Sequence, residues 1–336
     1  MKLWTIPAFG IDQLALGEGA IPAPAANQVV VEVHAVSLNY RDLMTVTGKY
    51  NPKLKLPRIP LSDGAGVVHA VGDAVRGFKV GDRVAGIFMQ NWQDGAPSNE
   101  KYRGALGGDI DGMAAQYVTL HQDGVVLIPD GLSFAEAATL PCAGVTAWSA
   151  LQKAGGIAPG STVLIQGTGG VSIAALQLAK AMGARVLGTS SSDEKLERAR
   201  ALGLDAGFNY KSGGSWADWA VEQTDGRGVD LVIEVGGSGT FLESLKACAV
   251  GGAMAQIGVL TESAEPVDVR VILRKQLRVQ GIYVGSRTDF EALNRALIAT
   301  GIKPVIDKEF ALEELPEAFR QMEAGSHFGK LVVRLR

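Results

Sequence analysis

The sequence predicts an α/β fold: a doubly wound parallel sheet inserted into a mostly β domain. Three observations lead there. The stretch Ser161-Thr-Val-Leu-Ile-Gln-Gly-Thr-Gly-Gly-Val-Ser-Ile-Ala-Ala-Leu-Gln-Leu-Ala-Lys180 reads as strand, glycine turn and helix. Val163 to Ile165 have the length and β-branched content of a buried strand. After Gly167, Gly169 and Gly170, the residues Val171, Ala174, Ala175, Leu178 and Ala179 recur at helical spacing. Next, Ala184-Arg-Val-Leu-Gly188 and a helix from about Asp193 to Leu202 repeat the same order. Successive β-α units point to a parallel sheet. Lastly, both ends of the chain are strand-rich, which makes the middle an insertion.

In chain order, Val29–Val36, Gly64–Gly72 and Phe78–Gly86 read as short strands between glycine turns, as in a small irregular barrel. Residues 90–112 are polar and glycine-rich and predict a long surface loop. Ser133 and Glu136 are spaced as a capping box for a helix, and a second helix follows Pro141 through Thr146, Trp148 and Leu151. Strands are then expected at 162–166, 185–189, 206–210, 229–235, 253–258 and 277–284, the number in a complete dinucleotide-binding sheet. A helix with Phe290, Leu293, Leu297 and Ile298 at helical spacing follows Ser286. The extended Val305–Phe310, a helix Leu315–Glu323 and the alternating Lys330–Leu335 close the chain. The division expected is 1–124 with 287–336 for the mostly β domain, and 125–286 for the nucleotide domain.

The totals exclude several classes. In 336 residues, hydrophobic side chains make up 47% and charged ones 20%, enough for two cored domains. The net charge of −3 and the lack of a basic arm argue against a nucleic-acid partner. Arg270–Arg278 interleaves its charges with apolar residues, as on a solvated helix face. Cys142 and Cys248 are far apart and form no C-x-x-C, which fits a reducing compartment. No apolar run reaches membrane-helix length, and Met1–Pro7 is unlike a signal peptide. The reading is a cytoplasmic protein without a membrane partner.

The glycine turn departs from G-x-G-x-x-G, because the third position is Ser172. A tight turn without a ligand is the competing reading. The strand before it and the helix after it favour a dinucleotide site: glycines admit a pyrophosphate closely, and a helix N-terminus offers free N–H groups.

Five motifs in order carry a resemblance: Asn39-Tyr-Arg-Asp42, Pro60-Leu-Ser-Asp-Gly-Ala-Gly66, Val80-Gly-Asp-Arg-Val84, Leu140-Pro-Cys-Ala-Gly-Val-Thr-Ala-Trp148 and Gly167-Thr-Gly-Gly-Val171. Together they resemble the medium-chain dehydrogenase/reductase superfamily over nearly the whole chain. The resemblance implies a chaperonin-10-like catalytic domain, a Rossmann domain between its two halves, and hydride transfer. It also implies a homodimer joined through the last strand of the nucleotide sheet, about Leu277 to Val284.

Zinc enzymes of that superfamily bind catalytic zinc with Cys, His and Cys. The corresponding positions here are Asn39, Ser62 (in Leu61-Ser62-Asp63, where Gly-His-Glu is expected) and Cys142. One thiolate with Asn and Ser is not the donor set of a catalytic zinc. Residues 90–112 lack the cysteines of a structural zinc lobe, and His34, His69, His121 and His327 have no ligand spacing. The expectation is no metal. Asn39, Asp42 and Tyr50 match the metal-free branch of quinone oxidoreductases and enone reductases. Asp42 has an equal claim to a purely structural role.

An NAD site places a carboxylate at the end of the second strand. That strand here ends Gly188-Thr-Ser-Ser-Ser192, and Lys195 lies one turn further on, so NADPH (NADP) is expected over NADH. Ser190, Ser191, Lys195 and Tyr210 are the 2′-phosphate candidates. Ser191 capping the next helix with Glu194 is a compatible second role. Thr146, Gly167, Thr168, Gly169, Gly170 and Val171 would hold the rest of the cofactor. Ile257-Gly258-Val259, Val284-Gly285, Phe328 and Lys330 resemble residues at its nicotinamide end. Without a Lewis acid, hydride transfer to a quinone or activated C=C needs a donor to the developing oxyanion. Asn39 and Tyr50 are the candidates, then Tyr40 and Arg41. Two other readings stay open: an alcohol or aldehyde dehydrogenase of the same superfamily, and a nucleotide-binding protein with little turnover.

Overall fold

The computed structural model describes residues 1–261 and 266–336. The chain forms two compact units, Met1–Val145 with Val284–Arg336, and Thr146–Tyr283. The first unit opens with β1 (Lys2–Thr5), β2 (Ala15–Glu18), β3 (Gln28–Ser37), α1 (Tyr40–Val46), β4 (Asp63–Val71) and β5 (Arg83–Gly86). After the loop come β6 (Tyr117–His121), β7 (Val125–Leu127) and α2 (Phe134–Ala138). A run of helical turns, Leu140–Gly144, α3 (Val145–Ser149) and Ala150–Gly155, leads into the second unit. That unit contains β8 (Thr162–Gln166), α4 (Gly170–Ala181), β9 (Arg185–Ser190), α5 (Asp193–Ala201), β10 (Ala206–Asn209) and α6 (Trp216–Glu222). It continues with β11 (Val229–Glu234), α7 (Ser238–Ala247), β12 (Cys248–Gln256), α8 (Arg270–Lys275) and β13 (Arg278–Gly281). The chain then returns to the first unit with α9 (Arg287–Thr300), β14 (Ile306–Ala311), α10 (Leu315–Glu323) and β15 (Lys330–Arg334).

The second unit is a six-stranded sheet in the order β10-β9-β8-β11-β12-β13, every pair parallel. This is the doubly wound order, with its reversal point between β8 and β11. All five residues of β8 are buried, as their apolar sequence requires of a strand covered on both faces.

The first unit is a seven-stranded sheet in the order β14-β15-β3-β4-β5-β7, with β6 also on β3. Val29, Val31, Val33 and Val36 of β3 pack into one core with Leu331 and Val333 of β15 and Phe319 of α10. Each such side chain removed from water contributes about 1.5–3 kcal/mol before entropy is counted. The register of β3 matters most. Ser37 pairs with Asp63 of β4 on one side and with Val332 of β15 on the other. The residue two past Ser37, Asn39, therefore ends up beside the start of both neighbours.

Four expectations are corrected. The units divide at Val145/Thr146 and Tyr283/Val284, not at 124/125 and 286/287. The reason is pairing: β7 is hydrogen-bonded to β5, and Ser37 Oγ donates to Ala138 O of α2 at 2.8 Å. The strand expected over 78–86 is only Arg83–Gly86, because Gly77 and Gly81 take left-handed φ of 87° and 93° and turn the chain before it. The last nucleotide strand stops at Gly281 rather than 284, and Val284 has a left-handed φ of 59°. The cap of α5 is Ser192, whose Oγ accepts from Lys195 N, so Ser191 and Glu194 do not form the box.

Candidate active site

The first cluster sits where β3 ends and β4 and β15 begin, and these strand ends bring four polar residues together. Asn39 is 7% exposed, Lys330 6%, and Ser62 and Asp63 are fully buried. Lys330 Nζ donates to Leu38 O at 2.5 Å and to Asn39 Oδ1 at 2.6 Å. Asn39 Nδ2 reaches Ser62 Oγ at 3.4 Å, and Ser62 Oγ donates to Asp63 Oδ1 at 2.7 Å. The backbone N–H of Cys142, in the Leu140–Gly144 turn, donates to Asp63 Oδ2 at 3.0 Å.

Burial raises the Asp63 carboxyl to about 6. The Lys330 charge pulls it back down, and the Asp42 charge adds to the rise. Burial lowers Lys330, opposed by Asp63, and raises the Cys142 thiol, with Asp63 adding to that rise. Leu61, immediately before Ser62, has a left-handed φ of 71°. Its O accepts from Met113 N at 2.8 Å, and a Cβ on Gly107 would lie 2.8 Å from its backbone. Close packing on both sides thus holds a strained residue at the edge of the cluster.

The other carbonyl candidates divide. Asp42 Oδ2 accepts from Asn39 N at 2.9 Å and so fixes the start of α1, the structural role left open for it. Arg41 is committed to scaffolding: it donates to Leu106 O at 2.8 Å and to Asp42 at 3.1 Å. Its guanidinium lies over the rings of Tyr50 and Phe88. That pins the 90–112 loop to α1. Tyr40 and Tyr50 are 42% and 38% exposed. Val284, Gly285 and Phe328 belong to this unit as well. Lys330, expected at the nicotinamide end, is committed to Asn39 and Leu38.

The second cluster is the glycine turn of the other unit. Gly167 has φ 65°, which explains a glycine there, and its N–H donates to Thr189 O at 2.8 Å. Gly169 is different. Its φ of −78° and ψ of 179° suit any residue, and a Cβ on it would meet nothing within 4 Å. Neither strain nor packing calls for glycine at 169. The space left there is room for a ligand to approach the backbone. Gly169 is also the N-cap of α4, with no side chain capping the helix, so its first N–H groups face an anion site. This cradle fits a pyrophosphate. Ser172, the departure from the motif, donates to Gln166 O at 2.6 Å and ties the helix to its strand. Thr146 is buried in this unit.

At the end of β9, Ser190 is buried and its Oγ accepts from Ser192 N at 3.3 Å. Asn209, paired with Ser190 across β10, donates to Asp193 Oδ1 at 3.0 Å, and Tyr210 next to it is half exposed. Ser190, Ser191 and Lys195 thus follow one another from the end of β9 into α5, and Asn209 ties that turn to the segment carrying Tyr210.

A buried network was missed from the sequence. Glu234, at the end of β11, accepts from Gly236 N, Gly237 N and Thr240 Oγ at 2.7–2.8 Å through Oε1. Its Oε2 accepts from Gln166 Nε2 at 2.8 Å and from Ser244 Oγ. Ile257 N and Gly258 N both donate to Glu234 O, at 2.9 and 3.1 Å. Gly258 approaches so closely that a Cβ would lie 1.8 Å from Val235 O. The network therefore fixes the chain at 257–258, just before the exposed Val259. A carboxylate closing the apolar run Leu231-Val-Ile233 was the available signal.

Comparison with known proteins agrees with the fold of both units. A family model described as an alcohol dehydrogenase GroES-like domain matches residues 25–130, and one described as a zinc-binding dehydrogenase matches residues 170–299. A zinc-type alcohol dehydrogenase-like protein of Schizosaccharomyces pombe is 43% identical over 97% of this chain and 96% of its own. A quinone oxidoreductase of Mus musculus is 30% identical over 94% and 91%. The crystal structure of a putative alcohol dehydrogenase from Sinorhizobium meliloti superposes with a TM-score of 0.93 at 40% identity, covering 99% and 98%. The chain belongs to the medium-chain dehydrogenase/reductase superfamily and is an NAD(P)-dependent oxidoreductase.

Proposed function

We propose that this chain is a zinc-independent reductase of quinones or α,β-unsaturated carbonyl compounds that prefers NADPH. The observation that carries the reading is the ammonium of Lys330 on Asn39 Oδ1, among the residues that stand at zinc-ligand positions. A lysine Nζ already fills that place. Asn39 and Ser62 are neutral oxygen and amide groups and Cys142 is the one thiol at these positions, so the donors do not fit zinc.

When bound, the reduced dinucleotide supplies the hydride. The task left to the residues is to hold the acceptor carbonyl while negative charge builds on its oxygen. Asn39 Nδ2, with one long bond to Ser62, has a hydrogen to donate, and the half-exposed Tyr50 is the second candidate. In the nucleotide unit, the α4 N-terminus takes the pyrophosphate. Ser190, Ser191, Lys195 and Tyr210 take the 2′-phosphate.

The test is single-turnover oxidation of NADPH by 9,10-phenanthrenequinone, using protein purified without added metal. Turnover with under a tenth of an equivalent of zinc supports the reading; stoichiometric zinc that activity requires sinks it. The second reading, an alcohol dehydrogenase, draws support from the 32% identity to a structure described as an NAD-dependent alcohol dehydrogenase. Asp193, at the start of α5, is the carboxylate that favours it. We also propose a homodimer through β13, whose four residues are exposed at the rim of its sheet, with Val269 and Leu273 exposed nearby in the same unit. Sedimentation at twice 35.2 kDa would support the dimer, and a single-chain mass would refute it.

A further inference from the structure

The hydrogen bonds of the first cluster run in one direction. Lys330 Nζ donates to Asn39 Oδ1, Asn39 Nδ2 to Ser62 Oγ, and Ser62 Oγ to Asp63 Oδ1, where Cys142 N–H also ends. An ammonium can only donate, and a carboxylate can only accept. The two ends together fix the middle. A side-chain amide has two orientations of nearly the same shape, with oxygen and nitrogen exchanged. Here the nitrogen cannot face Lys330. We propose that Lys330 is a positioning residue: its ammonium locks the Asn39 amide with the oxygen inward, leaving the N–H2 end to hold the substrate carbonyl. The flipped amide would set oxygen against oxygen and repel the developing charge.

This rests on Asn39 being the carbonyl donor, and the experiment separates the two claims. Asn39→Ala, Lys330→Met and the double variant are compared in single-turnover reduction of 9,10-phenanthrenequinone by NADPH. Each single change should slow hydride transfer by about 10²–10³-fold, the loss of one oxyanion donor. NADPH affinity should stay within about twofold in each. The double variant should be no slower than Asn39→Ala, because the two side chains act as one device. A readout without turnover is the infrared carbonyl band of bound cyclohexanone. It should lie at lower frequency in the native protein and return toward the free value in both single variants.

An undiminished rate in Asn39→Ala overturns the carbonyl-donor reading and the positioning role with it. A slowed Asn39→Ala beside an undiminished Lys330→Met overturns the positioning role alone. So does multiplication of the two losses in the double variant. If Lys330→Met leaves Asp63 unbalanced and fails to fold, Asp63→Asn with Lys330→Met removes both charges and makes the same test.

Discussion

Asp63 and Glu234 are buried carboxylates, one in each unit, and the folds treat them in opposite ways. Glu234 accepts five hydrogen bonds from neutral groups: two backbone amides, two hydroxyls and a glutamine. It also sits beside the N-terminus of α7, where the helix dipole favours an acceptor. Asp63 takes short bonds from Ser62 and the Cys142 N–H, and the Lys330 charge, three links along the chain of bonds, offsets its burial in part. One carboxylate is saturated and holds a loop in place. The other is left short of partners, so its proton equilibrium moves toward the working range of an enzyme. A buried charge by itself therefore marks no function; its supply of donors separates scaffold from chemistry.

The largest expected effect tests the scaffold half of that comparison. Glu234→Ala would strand the N–H of Gly237 and strip Gly236 N–H, the Gln166 amide and the Thr240 and Ser244 hydroxyls of their carboxylate bonds inside the unit. A loss of about 4–5 kcal/mol in urea unfolding is expected, since each abandoned donor costs about 1–3 kcal/mol. A loss below about 1 kcal/mol would mean the network is decorative.

Next comes Asp63. Its folded value, about 6, lies above the ordinary carboxylate value, so the folded state binds this proton more tightly than the unfolded chain. The contribution is present at low pH and is lost as pH rises through about 6, the reverse of a salt-bridged aspartate. Between pH 4.5 and pH 7, the native protein should lose about 2 kcal/mol of stability relative to Asp63→Asn. A gap that is flat or widens with pH would contradict the assignment.

Two smaller effects concern the nucleotide unit. Gly169→Ala fits the backbone and meets no atom, so its unfolding midpoint should be unchanged. The NADPH dissociation constant should rise about tenfold, because the methyl group fills the cradle. Unchanged cofactor affinity would return Gly169 to an accidental glycine. Ser191→Asp puts a carboxylate at the end of the second strand and should shift the NADPH-to-NADH ratio of kcat/KM about tenfold toward NADH. No shift would place the 2′-group elsewhere.

The nucleotide unit was legible in the sequence because its signals are local. β8 was expected at 162–166 and is found there, and the weak strand after Ala206 ends one residue early. Apolar runs and glycine turns span a few residues each and need no partner to be read. The first unit yielded less. Asn39 could be singled out, but nothing near it announces Lys330, which lies 291 positions away and meets it only through the pairing of β15 with β3. Ser62 and Asp63 were read only as missing zinc ligands, although they complete the chain of bonds. The cap of α5 shifted by one serine because three in a row give no local preference. Long-range register decides such contacts, and single-sequence periodicity carries no trace of it.

The same register sets an order of assembly during synthesis. Asn39 emerges from the ribosome early, with α1 ready to form behind it. Its partner Lys330 lies beyond the whole of Thr146–Tyr283, a continuous segment able to close its own sheet first. For as long as that middle segment takes to be made, β3 has no β15 beside it and the amide has no ammonium to orient it. On the proposed roles, the nascent chain can grip its nucleotide before it can hold a carbonyl.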